Sequence, residues 1–230
     1  MKLFFKLILP SLFLLFCNFV FAEEYKQNYL VEVGGLNIGK LSWEVFLEKE
    51  KYTIKINLEN KGLVSGIYKF SGKYETFGKI KKGILYASSY EQNWKTPKKN
   101  SYVKIYFENN KLDKLTLKPE EVEIPRIKYL GIKSYSDPLT SFLNILLGKK
   151  ISKTIDGRRV YNMAAESEKY ENNKEKIEIS INEYVNIWTD HNKNDLKRIE
   201  FIKEGNIEAF RMPLVIKIKF KQLVFKLTKV

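Results

Sequence analysis

In LSWEVFL (residues 41–47) and YTIKINL (residues 52–58), apolar side chains occupy every second position and mostly polar ones the positions between. A β-strand sends successive side chains to opposite faces, so this period of two describes strands with one buried face. The pattern returns in residues 103–107, 177–181, 212–220 and 223–227. Between these stretches lie turns: the polar Glu48 to Lys51, and Asn109-Asn110-Lys111 and Glu204-Gly205-Asn206, where glycine and asparagine tolerate positive φ. Short strands joined by tight links pair antiparallel. A flat sheet this long would expose its edges, so the sequence predicts a mainly β fold, a curved antiparallel sheet or an open β-barrel.

One segment breaks the period. DPLTSFLNILLG (residues 137–148) opens with an acid suited to cap a helix, places Pro138 at the first helical position and ends on Gly148. Leu139, Phe142, Leu143, Leu146 and Leu147 then share one helical face. That face is too apolar for water, so this short amphipathic helix is expected on the concave side of the sheet.

The chain starts with Lys2 and Lys6, runs through apolar residues 7–16 and reaches Val20-Phe21-Ala22 before its first acids. This is the layout of a secretory signal peptide cut after Ala22, and the run falls short of the ~20 apolar residues that span a bilayer. Cys17 is the only cysteine, and Phe16 before it is too large for a lipoprotein signal. Cleavage removes Cys17, which leaves residues 23–230 as one β-rich domain without thiols. The expected location is the periplasm, with no integral membrane segment after cleavage.

The chain carries a formal charge of +14. A surplus of this kind can attract anionic lipid or nucleic acid. Arginine occurs only five times, and the lysines are scattered rather than set in a stripe. Phosphate recognition leans on arginine forks, which argues against nucleic acid as a partner.

Residues 151–163 read as a hairpin. Asp156-Gly157 supplies the favoured pair for a type I′ turn, in which both central residues need positive φ. Arg158 would then share a face with Ile155 and Val160, and Arg159 the other face with Thr154 and Tyr161. A solvated hairpin end explains both arginines more simply than an anion site does.

DPLTSF (137–142) followed by DGRRVY (156–161) resembles the paired signatures of the exported bacterial proteins called domain of unknown function 3108. YLVEVGGLNIG (29–39), the region of Gly62, GILY (83–86) and Met212-Pro213-Leu214 resemble further segments of that family. The specific positions are Asp137, Pro138 and Leu139, and Asp156, Gly157, Arg158 and Arg159. Relatives often carry a cysteine pair that this chain lacks. The resemblance implies a periplasmic, mostly antiparallel β domain with a curved sheet, and it brings no established biochemical activity with it.

Groups able to do chemistry are few. His191 is the sole histidine, in the polar run from Trp188 to Asp195. Asp190, His191 and Asp195 make a poor metal set, because zinc sites draw on several His or Cys side chains. No nucleophile elbow, Walker loop or dinucleotide fingerprint is present, and Glu120, Glu121 and Glu123 read as solvated surface. The sequence therefore points to no enzyme, no metal and no cofactor.

A non-enzymatic domain remains, and two forms of it are expected. In the first, a concave sheet shelters a lipid or other amphiphile, with Phe142, Leu143, Leu146, Arg158, Arg159 and Tyr161 as candidate ligand-binding residues. The alternative is a structural or protein-interaction module of the cell envelope with no small ligand. An outer-membrane barrel fits less well, because Lys55, Lys104, Lys217 and Lys219 stand on strand faces and the chain ends without an aromatic residue.

Overall fold

The computed structural model describes residues 22–61, 66, 69–188, 195–205 and 210–230. The signal segment, the Gly62 region, and Asp190 and His191 lie outside or largely outside these residues. Seven strands come first: β1 (Glu23–Val33), β2 (Leu36–Leu47), β3 (Lys51–Asn60), β4 (Ser71–Lys81), β5 (Ile84–Lys95), β6 (Asn100–Glu108) and β7 (Lys111–Lys118). A long connection leads to β8 (Tyr135–Ser136) and helix α1 (Pro138–Leu146). Then follow β9 (Ile151–Ile155), β10 (Arg159–Glu171), β11 (Lys174–Asn186), β12 (Leu196–Glu204), β13 (Val215–Phe220) and β14 (Leu223–Lys229).

All fourteen strands belong to one sheet in the order β7-β6-β5-β4-β3-β2-β1-β14-β13-β12-β11-β10-β9-β8, antiparallel except for the β8–β9 pair. Neighbours are consecutive antiparallel strands except at two places: β8 and β9 run parallel with the helix between them, and β1 meets β14, which joins the two ends of the domain, Tyr29 facing Lys229 and Val33 facing Phe225. The expected turns recur: Asn109 and Asn110 take φ of 49° and 60°, and the Glu48 amide donates to the Lys51 carbonyl. Strand β13 starts at Val215, so Met212 and Pro213 precede the alternating run.

The two ends of the sheet meet, so the sheet is a nearly closed barrel. At one level the closure is made by backbone: the Leu112 and Ser134 amides donate to the Ile132 and Asn110 carbonyls, and the segment they fix runs on into β8 beside β9. At the other level it is made by packing. Tyr90, Val103, Ile105, Phe107, Leu112 and Leu117 of β5–β7 form one apolar cluster with Ile155, Val160, Ile187 and Trp188 from the far end of the sheet. Closure removes the exposed edges that would invite pairing with another chain.

Helix α1 fills the interior. Asp137 caps it, Gly148 past its end adopts φ +99°, and Leu143 and Leu146 are buried in the main core, as the sequence predicts. One expectation needs correction, and one feature was not foreseen. Leu147 is 39% exposed, because it caps the last turn rather than facing the sheet. The face opposite the leucines is not solvated: Thr140, Ser141 and Asn144 are as buried as Leu143, because the barrel wraps the helix from all sides. No residue from 138 to 147 is charged, and that was the available signal.

Candidate functional site

The buried polar face of α1 makes three separate attachments to the wall. Asn144 is the simplest. Its Nδ2 donates to the Leu85 carbonyl at 2.9 Å and its Oδ1 accepts from the Leu85 amide at 2.9 Å. The ladder between β5 and β6 begins only at Ser89 and Tyr106, so near Leu85 that edge of β5 has no strand beside it. The carboxamide takes the place of the missing strand, which matters because buried backbone groups must be paired.

Ser141 binds the opposite wall, accepting from Thr154 Oγ1 at 2.8 Å and Ser152 Oγ at 3.1 Å on β9. The third attachment surrounds Asp137, which is fully buried. Its Oδ1 accepts from the Leu139 and Thr140 amides at 2.9 and 3.0 Å. Its Oδ2 lies 2.5 Å from Thr140 Oγ1 and 2.9 Å from Thr76 Oγ1, while Tyr52 OH is 2.6 Å from Thr140 Oγ1. Desolvation pushes the Asp137 carboxyl above the usual carboxylate range, and the bonds from Thr140, Thr76 and Leu139 offset only part of this. Gly78 gives Tyr52 room for this reach. A Cβ there would fall 2.1 Å from the Tyr86 carbonyl oxygen and 2.7 Å from the Tyr52 ring.

The hairpin tip departs from expectation. Ile155 pairs with Val160, so the link is centred on Gly157-Arg158, one residue later than predicted. Only Gly157 has positive φ, at +96°, which excludes a type I′ turn. The Asp156 carboxylate accepts from the Arg158 and Arg159 amides at 2.9 and 2.8 Å and takes over the turn's bonding. The tip is not a solvated end: Gly157 is buried, a Cβ on it would lie 2.6 Å from Val103 Cγ1, and its carbonyl accepts from Trp188 Nε1.

The two arginines accordingly diverge. Arg158 Nε donates to Glu121 at 2.6 Å, with both side chains mostly buried, so Glu121 is not the solvated acid the sequence suggested. This ion pair ties down the connection that leaves β7. Arg159 lies 3.6 Å from Asp156, and burial of its guanidinium is outweighed by Asp156 and neighbouring Tyr184, so its charge is retained. Tyr161 is buried and stacks with Tyr184. Phe142 is half-buried between Trp43 and Phe201. Phe142, Leu143, Leu146 and Tyr161 thus share the main core, whereas Arg158 faces the other side of the hairpin.

Leu143 and Leu146 are enclosed by this core and offer no open surface. Leu41, Leu58, Leu196, Ile218 and Phe225 pack against the main core yet remain half-buried, on the inner faces of β2, β3 and β12 to β14. Leu41 pairs with Leu58, and Ile218 pairs with Phe225. Among the described residues, no group of three or more His, Cys, Asp or Glu side chains could hold a metal, and no helix is long and apolar enough to cross a membrane.

Fold and interior together define a β-barrel-like domain with a helix held through its lumen. The chain is similar to the crystal structure of a β-barrel-like protein of domain of unknown function DUF1849 from Brucella abortus, with a TM-score of 0.54 and 12% identity over 92% of this chain and 97% of that one. At that identity the likeness speaks for the fold alone. No family model and no curated protein matches the sequence.

Proposed function

We propose that this is an exported, non-enzymatic domain that binds an amphiphile against the half-buried inner wall of its barrel. The observation that carries the reading is the set of apolar side chains Leu41, Leu58, Leu196, Ile218 and Phe225, which pack against the main core and stay partly uncovered. A sheet that closes around a helix normally buries such a layer completely, and an uncovered one suits an acyl chain. Export rests on residues 1–22, and kinship with domain of unknown function 3108 rests on the Asp137-Pro138-Leu139 and Asp156-Gly157-Arg158-Arg159 blocks.

The test is mass spectrometry of protein purified natively from the periplasm, paired with titration of a fluorescent fatty acid analogue. A lysine planted at Leu58 should lower affinity for the probe at least about tenfold, since it puts a charge where ~1.5–3 kcal/mol of apolar contact is expected. Absence of co-purified lipid together with absence of probe binding would overturn the reading. A protein-interaction module then takes its place, and one observation favours it: Val122 and Ile124 are 97% and 87% exposed on the connection that Arg158 tethers.

A further inference from the structure

The cluster around Asp137 is one proton short. Four close oxygen–oxygen contacts need a hydrogen: Tyr52 to Thr140, Thr140 to Asp137 Oδ2, Thr76 to Asp137 Oδ2, and Thr76 to the Ser89 carbonyl at 2.9 Å. Three hydroxyls supply three hydrogens. With Asp137 ionised, Thr76 can serve either the carboxylate or the Ser89 carbonyl, and the other contact becomes two acceptors pressed together without a proton. A neutral carboxylic acid supplies the fourth hydrogen. The bonds then run in one direction, from Tyr52 to Thr140, to Asp137, to Thr76 and to Ser89, with both backbone amides still donating to Oδ1.

We infer that Asp137 is held as a neutral carboxylic acid at neutral pH and that the seat of helix α1 is thereby sensitive to alkaline pH. The surroundings agree. Tyr52 faces the carboxyl from β3, Tyr90 from β5 and Tyr161 from β10, each with its phenol raised well above its ordinary range first by desolvation, so all three stay protonated. Among the described residues no lysine or arginine is paired with Asp137, and burial without a counter-charge disfavours the ionised form. The sign follows. A carboxyl whose folded value is raised contributes stability fully present below the unfolded value near ~3.9, lost as pH rises through the folded value.

Infrared spectroscopy tests this directly. The parent protein near neutral pH should show the carbonyl band of a protonated carboxylic acid, and Asp137→Asn should lack it. Asparagine keeps the two backbone amides on Oδ1 and a donor toward Thr76, and turns the Thr140 contact round because its Nδ2 only donates. It does not titrate, so whatever its fixed offset the parent should lose melting temperature relative to Asp137→Asn as pH is raised from 4 to 8. A second variant fixes the direction of the bond. If Asp137 donates to Thr76, Thr76→Val removes the acceptor of its proton and moves the midpoint of the acid band to lower pH; if the carboxylate accepts from Thr76, the same change moves it higher. An absent band at neutral pH, or an upward shift in Thr76→Val, overturns the proposal whether or not Asp137→Asn folds.

Discussion

Replacing Asn144 with alanine should destabilise the barrel far more than the loss of a surface amide would. The side chain is 2% exposed, and its two bonds, each 2.9 Å, satisfy both the amide and the carbonyl of Leu85, itself buried. Leaving a buried backbone group without a partner costs about 1–3 kcal/mol. The amide has no alternative, whereas a carbonyl tolerates the loss better, so the pair should cost roughly 2–4 kcal/mol. For a chain of this size that is a fall in melting temperature of roughly 5–15 °C. Denaturant titration should show a lower midpoint with an unchanged slope. Asn144→Asp sharpens the test, because the protonated acid can still donate to the Leu85 carbonyl while the ionised form cannot; its deficit should shrink as pH falls. A loss below about 0.5 kcal/mol for Asn144→Ala would refute the reasoning and mean that water or a shifted strand repairs the β5 edge.

Gly157→Val should lower stability by more than about 2 kcal/mol, since a β-branched residue resists a φ of +96° and its Cβ would press on Val103; an unchanged denaturation midpoint would mean that the tip can leave its pocket freely. Glu200 on the outer face lies 2.7 Å from Lys217 and 2.9 Å from Lys176; desolvation opposes its ionisation, but these lysines hold its carboxyl below the usual range. Its contribution is therefore present above the unfolded value near ~4.3 and lost as pH falls through the lowered one, so Glu200→Gln should cost about 1 kcal/mol or less at pH 7 and nothing at strongly acid pH, read from melting curves across that range.

Strand positions and the helix were legible because their determinants are local. Alternation of side chains along a strand, positive φ at Asn109 and Asn110, and the cap formed by Asp137 with its own Leu139 and Thr140 amides involve residues a few positions apart. The class of fold followed, since many half-buried antiparallel strands must curve to protect their edges. The hairpin register was not legible. Asp156-Gly157 offers two turns differing by one residue, and the choice is made by Val103, Leu117 and Trp188, which are distant in sequence and pack around Gly157. The two arginines were beyond reach for the same reason: Glu121, the partner of Arg158, stands 37 positions away. Short polar residues on the helix face opposite its leucines are compatible with water or with burial, and only a wall closing around them decides which. Tertiary structure made that decision by bringing Leu85, Thr76, Tyr52 and Thr154 to Asn144, Asp137, Thr140 and Ser141. Bonds between segments this far apart form only when the whole sheet has closed, so no local pattern encodes them.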